Sequence, residues 1–264
     1  MRVLVLGHEG MLGHMVDKYF TSQGLVVFTM PARWPNNDFK DAILNNLGDI
    51  EYIVNCIAAI PQHKKYKFED YINTNVSLPV WLAKNFKGKI IHPTTDGEFS
   101  GNINSHEKYN KNDIKDARDD YGLSKIISSV TLELFSNVIQ IRASIIGPEE
   151  KNKVSLLEWF LSQKEEAKGY SNHLWNGITT LEWSKLALLI MENWDTYHKD
   201  YKIIQVGTKP ISKFDLLCLI NKVFDSNKTV VSVEKNYCNK CLESDFLIKS
   251  LEDQLTELKK LCYF

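Results

Sequence analysis

The sequence predicts an α/β protein, a doubly wound parallel sheet carrying a small mixed cap toward its C-terminus. Three observations carry that expectation. Short, uninterrupted apolar runs recur through the first 147 residues, as strands buried on both faces of a parallel sheet require. Segments of helical period separate those runs, so strand and helix alternate as in right-handed βαβ units. After Gly147-Pro148 the alternation weakens and polar, aromatic stretches take over.

Taken in order, Arg2-Val-Leu-Val-Leu6 is the first strand, and Gly7-His-Glu-Gly10-Met-Leu-Gly13 leads into a helix over His14 to Gln23. Leu25 to Met30 reads as a second buried strand and Asp49 to Ala59 as a third, with a helix over Phe68 to Asn85. Lys89 to His92 is a strand ending at Pro93-Thr-Thr-Asp96; Asp119 to Phe135 is helical and Val138 to Ile146 extended. Beyond that point come a short helix over Ser155 to Gln163, a loop over Gly169 to Thr180 and a helix over Leu181 to Asn193. Tyr201 to Val206 is a last sheet strand. Ser212 has the chemistry of an N-cap for Lys213 to Phe224, and Leu251, Leu255 and Leu258 mark an amphipathic C-terminal helix. This divides the chain into a body, 1–147 plus 178–208, and a cap, 148–177 plus 209–264.

Composition narrows the function. The 264 residues carry 32 Lys+Arg against 33 Asp+Glu, a formal net charge of -1. A binder of nucleic acid or of an anionic membrane shows a basic excess, and this chain has none. No apolar stretch approaches the ~20 residues of a membrane span. The five cysteines are odd in number and irregularly spaced, with no secretory pattern ahead of them, so free thiols in the cytoplasm are expected. Cys238-Asn-Lys-Cys241 lacks the second ligand pair a zinc site needs, so no metal is expected. The basic stretch His63 to Lys67 reads as a solvated face, with contact to a substrate pyrophosphate as the alternative.

The glycines carry the first chemical signal. Gly7 permits a tight turn, Gly10 a close approach of backbone to pyrophosphate, and Gly13 the packing of helix on strand. Met11 and Leu12 then offer backbone N–H groups at the helix N-terminus. This is the Rossmann dinucleotide fingerprint in its proper setting. The second strand ends without the carboxylate that holds the ribose of NAD, while Arg33 lies just beyond it and can fork onto a 2′-phosphate. NADPH is therefore the expected cofactor, with NADH also accepted.

Tyr121 and Lys125 are four residues apart on a helix, so phenol and ammonium share one face. An ammonium beside a phenol favours its charged form and makes it a better proton donor. Thr95 stands at the carboxyl end of a parallel strand, where ligands of such sheets sit, and can converge with that pair.

Strand, glycine fingerprint, hydroxyl and Tyr-x-x-x-Lys, in this order, resemble the short-chain dehydrogenase/reductase superfamily, in particular its extended branch. The stretch His92-Pro-Thr-Thr-Asp-Gly-Glu-Phe-Ser-Gly101 is similar to a segment of the dTDP-4-dehydrorhamnose reductases. So are Asn55-Cys-Ile-Ala-Ala59, Ile141-Arg-Ala-Ser-Ile-Ile-Gly-Pro148 and Leu174-Trp-Asn-Gly-Ile-Thr-Thr180. The likeness runs from residue 1 to about 195. It implies a catalytic triad of Thr95, Tyr121 and Lys125, with Ala58 and Ala59 under the nicotinamide and Lys125 also on its ribose. It further implies substrate contacts from Thr95, Asp96, Ser144, Trp175 and Asn176, although packing is an equal reading for Trp175. The reaction implied is reduction of the C4 carbonyl of a nucleotide-linked 4-keto-6-deoxysugar, in nucleotide-sugar and surface polysaccharide synthesis. Gly97 stands where related dehydratases carry a glutamate and related epimerising enzymes a cysteine. Glu98 replaces the family's usual valine, and Ile145 and Ile146 stand where the reductases often carry a Trp. A sugar-nucleotide epimerase and a non-catalytic NADP-binding regulatory subunit are the alternatives. Dimerisation through the helices at 68–85 and 119–135 is common in the branch.

Overall fold

A computed structural model describes residues 1–45, 47–62, 66–151 and 153–263. Six parallel strands form the central sheet: β1 (Arg2–Leu6), β2 (Val26–Thr29), β3 (Tyr52–Asn55), β4 (Lys89–Thr94), β5 (Val138–Arg142) and β6 (Ile203–Gln205). Their order is β6-β5-β4-β3-β1-β2, every pair parallel. From β1 the chain steps outward to β2 and then crosses back to β3 on the other side. The connections leaving β1 and β3 therefore diverge, which opens a crevice at their carboxyl ends. All residues of β3 and β5 are buried, as the unbroken apolar runs foretold.

Four helices matter for the site. The first, α1 (Met11–Ser22), starts at Met11, three residues before the expected His14. The second, α2, is not uniform: α-helical turns at Phe68–Tyr71 and Leu78–Asn85 flank a π-helical stretch at Ile72–Ser77. The third is α3 (Asp120–Leu132) and the fourth α4 (Lys213–Val223), the latter capped by Ser212, whose Oγ accepts from the Asp215 N–H at 3.0 Å. Among the described residues no helix is long and apolar enough to cross a membrane.

Several expectations need correction. The second strand is an edge, not a buried strand: nothing pairs outside it, and Val26 and Phe28 stay 48% and 37% exposed. The Arg2 guanidinium lies over the Phe28 ring at 4.9 Å and covers part of that edge. The expected loop at 169–180 contains strands His173–Trp175 and Ile178–Thr179. Glu166–Tyr170 and Thr229–Val233 add a parallel pair that alternation alone did not reveal. Cys238–Asn239 is likewise a strand, paired with His173 and Leu174. Residues 241–248, grouped with the cap by sequence, also touch the central sheet. There Asp245 N–H donates to Gln205 O at 2.8 Å, and Phe246 and Ile248 pack against the main core. Residues 63–65 of the basic stretch lie outside the described residues.

Candidate active site

At the glycine turn, Gly7 adopts φ +76°, a left-handed value open to glycine, and a Cβ there would stand 3.0 Å from the Ile57 nitrogen. A Cβ at Gly13 would fall 2.1 Å from the Gly7 carbonyl oxygen, so α1 can seat on the turn only without a side chain. Gly10 caps α1 in an extended conformation and supplies no side-chain acceptor, which leaves the first-turn N–H groups of Met11 and Leu12 facing the crevice mouth for an anion. This cradle fits a dinucleotide pyrophosphate. Arg33 is exposed and acts electrostatically on Glu9 within the turn, and Lys151 pairs with Glu9 at 2.5 Å. The neighbouring Trp34 anchors the Arg33 loop by donating its indole N–H to the Asn73 carbonyl at 3.0 Å.

Beyond β3, Ala59 is held by Asn75, a residue of the π-helical stretch. The Asn75 side chain accepts from Ala59 N–H at 2.8 Å and donates both to Ala59 O and to Ser124 Oγ, each at 3.0 Å. One buried amide thus ties the Ala58-Ala59 loop to α3, which carries Tyr121 and Lys125. Sequence reading missed Asn75; an Asn on an otherwise packed helix was its only trace.

Of the three proposed catalytic side chains, Thr95 and Tyr121 meet directly. Thr95 Oγ1 donates to Asp96 Oδ1 and accepts from Gly97 N–H, both at 3.0 Å, and is hydrogen-bonded to the Tyr121 phenol. Burial pushes the Tyr121 pKa well above its ordinary value, the Thr95 bond offsets part of that, and Asp96, Glu98 and Asp119 raise it further. Lys125 is buried with its Nζ donating to Pro93 O at 2.9 Å. Burial lowers its pKa to about 8, and Glu98 opposes the fall. Gly97 is pressed against both partners: a Cβ there would come within 3.1 Å of the Tyr121 ring and 3.3 Å of Thr95 Oγ1.

Beside the Thr95 turn lies an ion pair the sequence did not announce. Glu98 Oε2 meets Arg142 Nη2 at 2.8 Å, with both side chains fully buried. Thr94 Oγ1 donates to the other Glu98 oxygen, and Arg142 Nη1 reaches Gln205 Oε1 at 3.0 Å. The departure at Glu98 is therefore matched by a partner across the sheet.

The substrate contacts fare differently. Trp175 is buried and spends its indole N–H on Ser144 Oγ at 2.7 Å, which accounts for Ser144 as well. Asn176 is buried too: its amide donates to the carbonyls of Thr208 and Leu242 and accepts from Leu242 N–H. These polar groups are spent on hydrogen bonds within the protein. What covers the Trp175 ring is Lys213, whose Nζ sits 5.1 Å from the ring centre. Among the described residues no carboxylate pairs with Lys213. Burial lowers its pKa and Asp96 opposes the shift, which sets this ammonium within electrostatic reach of the Thr95 turn.

Fold and site together define the class of architecture, a Rossmann-type doubly wound parallel sheet carrying a small mixed cap. Within it, the chain is similar to the dTDP-4-dehydrorhamnose reductases over its whole length. The structure from Bacillus anthracis, in complex with NADP, superposes with a TM-score of 0.83 at 17% identity, covering 99% of each chain. That from Clostridium acetobutylicum gives 0.80 at 15% identity and covers 100% of both chains. A UDP-glucose 4-epimerase from Thermotoga maritima, solved with UDP-glucose, gives 0.75 at 16% identity, covering 99% of this chain and 98% of that one. No family model and no curated protein matches the sequence.

Proposed function

We propose that the protein reduces the C4 carbonyl of a nucleotide-linked 4-keto-6-deoxysugar in cytoplasmic nucleotide-sugar and polysaccharide synthesis, using NADPH in preference to NADH. The observation that carries this reading is the Thr95–Tyr121 hydrogen bond at the carboxyl end of β4, with Lys125 one turn further along α3. Bound in the glycine cradle, the nicotinamide cofactor supplies a hydride. Negative charge growing on the sugar oxygen is met by the Tyr121 phenol, which gives up its proton, and by the Thr95 hydroxyl, which turns from Asp96. The raised pKa keeps Tyr121 protonated until that charge develops. Gly97 leaves no acid or base at the position where dehydration or epimerisation needs one, and its close neighbours leave little room to add one.

Lys213 replaces Trp175 and Asn176 in this reading as the contact for the substrate's phosphate. A lysine in the first turn of a helix opposes the helix dipole, and among the described residues no carboxylate forms an ion pair with this one. The division into body and cap belongs to the same reading, with 241–248 moved to the body. So does a homodimer through α2 and α3, supported by the exposed apolar series Leu123, Ile127, Val130 and Leu134. A panel of dTDP-, UDP-, GDP- and CDP-linked 4-keto sugars with NADPH, followed at the nicotinamide absorbance, tests the reading. Steady oxidation with one of them is expected. An epimerase consumes no net cofactor, and tight NADPH binding without turnover on any sugar points to a regulatory subunit instead.

A further inference from the structure

Resting on that reading, we propose that Glu98 is a positioning residue: its buried carboxylate holds the Thr95 turn and supplies the counter-charge for Lys125. Stability alone is a weak reason for the Glu98–Arg142 pair. Two ions taken fully out of water lose hydration that their attraction barely returns, and apolar replacements of such pairs are often neutral or better. Its placement gives a stronger reason. Thr95 is bracketed by Glu98 contacts, because Thr94 Oγ1 donates to the carboxylate and Glu98 N–H donates to Thr95 O at 3.4 Å. The Glu98 carbonyl accepts from Ala117 N–H at 3.2 Å, and Ala117 Cβ would meet a Cβ at Gly122, the residue after Tyr121, at 2.5 Å. The backbone of residue 98 therefore ties the turn bearing Thr95 to the start of the helix bearing Tyr121, and its carboxylate adds the bond to Thr94 beside that turn.

Arg142 fixes the carboxylate from the other side. Its guanidinium lies 5.3 Å over the Phe99 ring and donates to Lys111 O at 3.3 Å as well as to Gln205. Around Lys125, the ionisable groups are His92 on β4, Glu98 after that strand and Tyr121 on its own helix. His92 is buried and held neutral, its pKa driven well down by burial and by the Lys125 charge. The Tyr121 phenol is protonated. The Lys125 ammonium bonds the Pro93 carbonyl and the Glu98 carboxylate bonds the hydroxyl of the next residue, Thr94, so both charges are anchored at one strand end, and Glu98 favours the charged form of Lys125.

The test separates charge from support. Glu98→Met/Arg142→Met removes both ions and keeps an apolar filling; NADPH affinity is measured by fluorescence from pH 6 to 10, alongside kcat and KM. The double variant is expected to fold, to bind NADPH near the wild-type level at low pH, and to lose affinity at a pH about one unit lower. Turnover is expected to fall about tenfold or more, with KM little changed, as for a lost alignment of the proton donor. Glu98→Gln, which keeps shape and an acceptor, is expected to move the alkaline limb in the same direction. Wild-type limb and wild-type kcat in a stable double variant overturn the proposal and leave the pair as mere scaffolding. A wild-type protein that binds NADPH but reduces no 4-keto sugar nucleotide overturns the functional reading alone, since the alkaline limb is read without substrate.

Discussion

Two charged regions border the Thr95 turn and are built on contrary plans. In one, Glu98 and Arg142 are sealed from water and paired with one another, held by Thr94, Gln205 and the Lys111 carbonyl. In the other, Lys213 rests on the Trp175 ring with Asp96 in electrostatic reach and, among the described residues, no carboxylate in an ion pair with it. A buried charge with its partner present is there to hold geometry. On the proposed reading, a desolvated charge without an ion-pair partner is the one that receives the substrate's phosphate. The difference separates the part of the site that must not move from the part that must receive.

The largest effect should come from the phenol bonded to that turn. Tyr121→Phe is expected to cut turnover about 10²–10⁴-fold while NADPH affinity stays unchanged. Wild-type turnover in that variant would remove the catalytic centre from the comparison altogether. Next, Glu98→Ala leaves the Arg142 charge buried and unpaired, at a cost of about 3–5 kcal/mol in chemical denaturation. If it costs no more than Glu9→Ala, which removes one partner of an exposed pair and should leave the melting midpoint where it is, the Glu98–Arg142 region is not the sealed scaffold described.

Smaller effects sharpen the Lys213 region. Lys213→Met is expected to raise the KM for the sugar nucleotide about ten- to hundredfold with melting unchanged, and Lys213→Arg to recover most of the loss. Equal KM values in all three proteins would mean that Lys213 merely shields Trp175. Arg33→Ala extends the same logic to the cofactor. NADPH affinity should fall about ten- to hundredfold, to the NADH level, while NADH binding hardly changes, as isothermal titration can measure. Equal loss for both cofactors would assign Arg33 to the loop that Trp34 anchors.

Much of this molecule was legible before any coordinates. The apolar runs marked β1 and β3 to β5 because a strand with helices on both faces keeps most of its side chains out of water. The glycines of the first turn were legible for a related reason, since backbone that must approach backbone or phosphate tolerates no Cβ. Thr95, Tyr121 and Lys125 could be picked out as candidates because a strand end and a Tyr-x-x-x-Lys helix face are local properties. The edge character of β2 was hidden, because an apolar hexamer reads alike at the centre and the margin of a sheet. The short cap strands were hidden as well, being too brief for any period to register.

What the sequence by itself determined is therefore everything set by neighbours along the chain: alternation, the glycine cradle, the helix caps and the Tyr-x-x-x-Lys face. Only the tertiary structure decided which polar groups are spent on the protein and which remain free. Trp175 and Asn176 look like ligands in a loop, yet folding gives their hydrogen bonds to Ser144, Thr208 and Leu242. Glu98 looks like a surface residue out of place until Arg142, forty-four positions away, is brought to 2.8 Å of it. A polar group's role depends on whether its partner is already present, and partners distant in sequence meet only when the sheet assembles.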